Sequence, residues 1–159
     1  MKKLLLAFAL PLFLFFSCSQ SKNVVAFSST QLRGSWVLSS IEYSKVGNYK
    51  ATLFNDSSKD CFVGSQWNLI ANNYSGEYIL NSGDDCQPGS RKIIWDVVQV
   101  DNKNYFQFKK IIQDVKAKNI QSGYRLKIDS LDSNTIIMSQ DTFIENSAIQ
   151  LIYTFVKSK

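Results

Sequence analysis

The sequence predicts an all-β fold, either a sandwich or a barrel, built from eight or nine antiparallel strands. Short runs rich in β-branched and aromatic residues recur from about residue 34 to the end of the chain, and Gly, Asn, Asp and Ser separate them. Apolar and polar residues alternate within several runs, as they do from Trp67 to Ala71. Such alternation is typical of a strand with one buried and one solvated face.

Nine segments carry the strand pattern, and sequence neighbours are expected to pair antiparallel. Asn and Gly residues lie between successive runs at 72–76 and 101–104, and these residue types tolerate the left-handed backbone of tight hairpins. The segment 115–122 interrupts the pattern and is expected to form a long loop or one helical turn. Segment 91–100 is apolar on both faces, so the residue pattern does not decide which face points into the core. The predicted strands are 34–43, 49–54, 66–71, 76–80, 91–100, 105–110, 124–130, 135–140 and 149–156.

The first 17 residues predict a signal peptide. Lys2 and Lys3 give a positive start, and the following 13 residues, 4–16, are apolar and interrupted only by Pro11. A membrane-spanning helix is the alternative, but it needs about 20 apolar residues. From Ser17 the sequence turns polar, which favours cleavage over spanning.

The residues around Cys18 resemble a bacterial lipobox, in which a small residue precedes a cysteine that is acylated and becomes the new N-terminus. The resemblance implies that Cys18 carries lipid, and two or more acyl chains anchor a protein stably because each buried methylene contributes about 0.8 kcal/mol. Residues 18–30 are then a lipidated tether, and residues 31–159 are the folded domain. Ser19 follows the cysteine, which by resemblance to lipoprotein sorting favours the outer membrane, facing the periplasm.

Cys61 and Cys86 remain after Cys18 is assigned to lipid, and an exported protein meets an oxidising compartment. Two thiols allow one bridge, so we expect a disulfide between them. Closing this loop would stabilise the fold by roughly 3 kcal/mol on the chain-entropy estimate. A metal site is the alternative, but the two thiols have no other soft ligand.

Charge and composition argue against nucleic acid as a partner and against catalysis. Without Lys2 and Lys3 the chain has 16 basic and 13 acidic side chains, a net charge of +3. The densest basic groups are the pairs Arg91-Lys92 and Lys109-Lys110, which we interpret as solvated strand ends.

The chain contains no His, which removes the commonest general base and the imidazole ligands of most catalytic zinc sites. Asp84, Asp85, Asp129 and Asp132 are the best candidates for an enzyme, but carboxylates in predicted turns are expected to be solvated. We therefore expect no enzymatic activity, no cofactor and no metal.

The start of the domain resembles the opening of lipocalins. Gly34-Ser35-Trp36 matches their Gly-x-Trp pattern, and the chain from 32 to 157 is similar to the small lipocalin-like lipoproteins of Bacteroidetes. This resemblance also rests on the segments 61–67, 76–80, 86, 91–95 and 153–157. It implies an eight-stranded up-and-down barrel whose floor is formed by Gly34, Trp36 and Lys157. Lys157 stands where lipocalins carry an arginine, and its cation-π contact with Trp36 would contribute about 0.5–1 kcal/mol.

Two hypotheses about function follow, because a barrel of this size either holds one small ligand or fills its interior with side chains. In the first, the barrel binds a small apolar molecule between aromatic side chains. In the second, the barrel is solid and its loops bind another envelope protein, with 61–86 as a rigid platform. The pocket residues of the first hypothesis are Trp67, Tyr78, Trp95, Phe106, Tyr124 and Met138.

Overall fold

A computed structural model describes residues 27–144 and 146–159 of the chain. The predicted signal peptide, Cys18 and most of the predicted tether lie outside the described residues. Eight strands form one closed antiparallel barrel, which confirms the predicted all-β barrel. The strands are β1 (Gly34–Tyr43), β2 (Thr52–Leu53), β3 (Ser57–Ser58), β4 (Gln66–Ile70), β5 (Ser75–Leu80), β6 (Gly89–Val100), β7 (Lys103–Lys110), β8 (Tyr124–Leu131), β9 (Thr135–Ile144) and β10 (Ser147–Lys157). A short helix, α1 (Lys59–Phe62), lies between β3 and β4.

The barrel closes because β1 pairs with both β10 and β4. The order around the wall is β1, β10, β9, β8, β7, β6, β5 and β4. Barrel strands that are consecutive in sequence are therefore hydrogen-bonded neighbours. Because the barrel is closed, no strand has an unpaired edge. We call the end at which β1 begins the closed end. The opposite end, where the connections 44–65, 81–88 and 111–123 lie, is called the mouth.

Alternate residues of each strand point into the barrel and form the core. In β10 the inward residues Ile149, Leu151, Tyr153 and Phe155 are buried, and the residues between them are more exposed. This follows from the two-residue repeat of a strand. In β6 the inward face carries Ile93 and Trp95, which settles the orientation that its sequence left open.

Turn chemistry matches the predicted hairpins. Asp101 and Asn102 have φ values of 49° and 58° between β6 and β7, the left-handed conformations that a two-residue hairpin loop requires. The segment 115–122 contains a single 3-10 turn, Ala117–Asn119, as expected. A second 3-10 turn, Ser29–Leu32, is capped by the Ser28 side chain and brings Leu32 into the core.

The predicted strand 49–54 is not part of the barrel wall. Only Thr52–Leu53 is extended there, and it pairs with Ser57–Ser58 in a separate two-stranded hairpin. Phe54 and Asn55 have φ values of 53° and 46°, and the Asp56 amide donates to the Leu53 carbonyl at 3.0 Å. This tight turn reverses the chain after two residues, which ends the strand that the residue pattern predicts.

Candidate functional site

Six successive barrel strands each place one of the predicted pocket residues in the interior. Trp67 stacks on Tyr78 with 4.8 Å between ring centroids, and Trp95 lies 5.8 Å from Phe106. Tyr124 is half-buried and the other five are buried. In the order of β4 to β9 the six residues are Trp67, Tyr78, Trp95, Phe106, Tyr124 and Met138.

Phe54 packs among the interior aromatic side chains, and two of its neighbours, Trp67 and Tyr124, are predicted pocket residues. We call residues 52–58 the lid hairpin, because it enters the barrel from the connection at the mouth. The Phe54 ring is only 4% exposed and stacks on Tyr153 with 5.9 Å between centroids. Its edge-on neighbours are Phe108 at 5.0 Å, Phe62 at 5.2 Å, Tyr124 at 5.3 Å and Trp67 at 6.1 Å. The interior is therefore an aromatic cage whose occupant belongs to the lid hairpin and not to the wall.

Asp56 holds the lid hairpin against the mouth through a cluster that we call the latch: Asp56, Tyr78, Arg91 and Lys110. The Arg91 guanidinium donates to both carboxylate oxygens of Asp56, at 3.1 and 3.2 Å. The Tyr78 hydroxyl donates to the same carboxylate. Lys110 Nζ lies 3.9 Å from Asp56 Oδ2 and donates to the Asn55 carbonyl at 2.9 Å. A bidentate guanidinium contact of this kind is both strong and directional.

The latch favours an ionised carboxylate and a protonated phenol. Burial raises the pKa of Asp56, but the hydrogen bonds from Tyr78 and Arg91 and the charge of Lys110 outweigh it, so the net pKa is lowered. Burial raises the pKa of Tyr78, and its hydrogen bond to the Asp56 carboxylate raises that pKa further. Tyr78 therefore remains a hydrogen-bond donor at neutral pH.

Phe54, Asp56, Arg91 and Lys110 are site residues that the sequence interpretation missed. Arg91 and Lys110 were expected at solvated strand ends, and that interpretation is wrong for both, whose side chains are only 19% and 24% exposed. A signal was present at Asn55-Asp56, a turn-forming pair directly after a run containing two aromatic residues, Tyr49 and Phe54.

At the closed end, Trp36 packs beneath Lys157. The Lys157 ammonium lies 4.2 Å from the Trp36 ring centroid and donates to the Arg33 carbonyl at 2.9 Å. The Trp36 indole N–H donates to the Leu32 carbonyl at 2.8 Å. Gly34 has a φ of 122°, and a Cβ there would lie 2.8 Å from Lys157 Nζ, so the close approach of lysine depends on glycine.

The disulfide between Cys61 and Cys86 is present, as predicted. Its Cα atoms are 5.5 Å apart, and it joins helix α1 to the connection between β5 and β6. Both segments belong to the mouth. The bridge therefore fixes the chain that follows the lid hairpin, while the hairpin itself is held by the latch.

Two further features lie at the surface of the barrel. At the mouth, Val46, Ile112 and Phe143 are exposed apolar side chains, and Phe143 is 78% exposed. On the outer wall a groove of about 820 Å³ crosses β6, β7 and the start of β8, between Tyr74 and Gln121. Its lining combines outward-facing residues such as Ile94 and Gln107 with Trp95, Phe108 and Tyr124, which also belong to the barrel interior.

Within residues 27–144 and 146–159, no group of His, Cys, Asp or Glu side chains is arranged to hold a metal ion. In the same part of the chain, no helix has the length and apolar character needed to cross a membrane.

One solved structure, described as a lipocalin-like protein from Bacteroides uniformis, is similar to this chain. The two are 15% identical, the match covers 80% of this chain and 99% of the other, and the TM-score is 0.47. No protein-family model matches the chain, and no curated protein sequence does.

Proposed function

We propose that this protein is a membrane-anchored lipoprotein whose lipocalin-like barrel binds one small apolar ligand in the cell envelope. The observation that carries the proposal is the aromatic cage around Phe54. Its walls come from the barrel strands, whereas its occupant comes from a two-stranded hairpin outside the barrel ladder. A ligand that displaces the Phe54 ring would find the apolar surroundings that small-molecule sites provide.

The character of the interior favours an apolar ligand. Among the described residues, every buried side-chain nitrogen or oxygen already has a hydrogen-bond partner. The Trp67 indole donates to Ser65, and the Trp95 indole donates to the Ser75 carbonyl. A polar ligand group inside the cage would therefore lose water without gaining a partner, which carries a free-energy cost.

The lipid anchor belongs to this proposal, with Cys18 as its site and the outer membrane, facing the periplasm, as its location. Phe27, the first described residue, borders a small cavity with Gln31 and Asn104 at the closed end. A tether that ends there would leave from the closed end. The mouth and the lid hairpin would then face away from the membrane, towards ligands or partners in the periplasm.

A second candidate is an interaction module that binds another envelope protein through its mouth. Two observations favour it: Phe54 occupies the interior, and apolar side chains are exposed at the mouth, namely Val46, Ile112 and Phe143. Exposed apolar residues of this kind occur at protein-binding surfaces. In either case we propose binding without catalysis, because the chain has no His and because Asp84 and Asp85 are exposed.

Titration with an apolar fluorophore tests ligand binding. The chain from Ser19 to Lys159 keeps every described residue and lacks the lipid. We expect saturable quenching of tryptophan emission at about one dye per chain, and weaker quenching in Trp67→Phe, since Trp67 contacts Phe54. Asp129→Asn, which changes an exposed residue of the outer wall, is the control and should retain the quenching. Absence of saturable quenching in both the natural sequence and Phe54→Ala would contradict the proposal and favour the interaction module.

A further inference from the structure

We infer that the ligand is an anionic amphiphile, with one carboxylate or phosphate group and a small apolar body, and that the lid hairpin occupies its site as an internal mimic. The inference rests on the proposed function and names the ligand class. Within three residues the hairpin presents an apolar ring, Phe54, and a carboxylate, Asp56. The ring lies in the aromatic cage and the carboxylate lies in the latch.

The latch already has the chemistry of an anion site. Arg91 supplies two guanidinium donors, Tyr78 supplies a hydroxyl donor and Lys110 supplies a second positive charge. Arg91 makes two further hydrogen bonds, to the carbonyls of Gly89 and Gln87, both at 2.8 Å. These contacts hold the guanidinium in place whether or not Asp56 is bound, so the site is organised in advance.

Charge decides the class of ligand that can displace the hairpin. Among the described residues, Asp56 is the one carboxylate within ion-pair distance of Arg91 or Lys110. If the hairpin left, Arg91 and Lys110, whose side chains are only partly exposed, would lose their anion, which is unfavourable. A ligand anion would replace Asp56 on the same donors. A neutral apolar ligand could replace only Phe54.

The hairpin is suited to displacement because little backbone structure holds it. Its two strands are two residues long and pair only with each other. Its turn residues Phe54 and Asn55 have left-handed conformations, which asparagine tolerates but which cost free energy for phenylalanine. Segments with few backbone contacts to the core open at lower free energy than the core itself.

Binding of decanoate, decyl phosphate and decanol tests the inference, because the three share one apolar chain and differ in charge. The protein is the chain from Ser19 to Lys159, and the pH is kept well above about 4, so that decanoate is ionised. We expect each anion to bind at least about tenfold more tightly than decanol, because the net free energy of a hydrogen bond to a charged group corresponds to a difference in affinity of that size. The relative affinities of decanoate and decyl phosphate distinguish a carboxylate from a phosphate ligand.

Variants of the latch separate the mimic from the site. Asp56→Asn removes the competing internal anion, so the affinity for decanoate should rise about tenfold and that for decanol should rise less. Arg91→Gln should abolish the preference for the anions. If Arg91→Gln does not fold, Lys110→Gln should reduce the same preference. Asp129→Asn breaks the exposed ion pair with Lys127 on the outer wall and serves as the control without effect.

The outcomes are distinguishable. If all three amphiphiles bind with equal affinity and Arg91→Gln or Lys110→Gln changes none of them, the anionic class is wrong and the apolar binding function stands. If none of them binds to the natural sequence, to Asp56→Asn or to Phe54→Ala, both the inference and the proposed function are wrong.

Discussion

Replacement of Phe54 by alanine tests whether the lid hairpin belongs to the hydrophobic core. The ring is 4% exposed and touches five aromatic rings with centroid distances of 5.0–6.1 Å. Burial of a phenylalanine side chain contributes about 1.5–3 kcal/mol. The cavity left by alanine raises the usual loss to about 3–5 kcal/mol. Because the hairpin can shift towards the vacated space, we expect the lower end, about 3 kcal/mol.

Alanine is a fair probe of packing at this position. Phe54 has a φ of 53°, and alanine is strained there in the same way as phenylalanine, so the strain largely cancels in the comparison. Unfolding in urea, followed by tryptophan emission, should show a lower midpoint with an unchanged slope. Phe143→Ala is the matched control, since Phe143 is 78% exposed and its loss should change stability by no more than about 0.5 kcal/mol. A loss below about 1 kcal/mol for Phe54→Ala would refute the packing described for the ring.

Three further predictions concern the anchor, the bridge and the latch. Cys18→Ala should yield an uncleaved or a soluble product that lacks the mass of lipid, and unchanged membrane partitioning and mass would exclude Cys18 as the anchor. Reduction of Cys61–Cys86, which are 25 residues apart in sequence, should lower the free energy of unfolding by about 3–3.5 kcal/mol on the chain-entropy estimate. Alkylation of either thiol without reduction, detected by intact mass, would exclude the bridge. The folded pKa of Asp56 is lowered, so its contribution to stability is complete above the unfolded pKa of about 3.9 and is lost as the pH falls through the folded pKa. In Asp56→Asn the free energy of unfolding should therefore fall less steeply as the pH is lowered into the acid range. An unchanged pH dependence would contradict the ion pairing described for Asp56.

The barrel strands could be predicted because their inward positions repeat every second residue. In β10 the residues Ile149, Leu151, Tyr153 and Phe155 alternate with more exposed ones. Strand β1 begins at Gly34 and ends at Tyr43, as predicted. The disulfide could be predicted because only two cysteines remained once Cys18 was assigned. The strands follow from the residue pattern within each segment, and the disulfide follows from the number of cysteines.

The lid hairpin and the latch could not be predicted in the same way. Alternation indicates that 49–54 is extended, but it does not identify the partner strand, and an aromatic residue such as Phe54 seldom adopts a left-handed conformation. Asp56 and Arg91 are 35 residues apart in sequence, and only the closed barrel brings them together. For the same reason the pocket residues could be assigned to the interior, whereas their occupant could not.

The most direct test of the proposed function is an intermolecular NOE between a bound apolar ligand and the methyl group of Met138. The chain has two methionines, Met1 and Met138, so the chain from Ser19 to Lys159 gives a single ε-methyl signal. Met138 is 2% exposed and pairs with Tyr153, which stacks on Phe54. With decanol bound, we expect NOEs from its chain protons to this methyl group and saturation at about one ligand per chain. NOEs only to residues of the outer groove, such as Ile94, or a methyl signal that decanol does not change, would contradict binding inside the barrel.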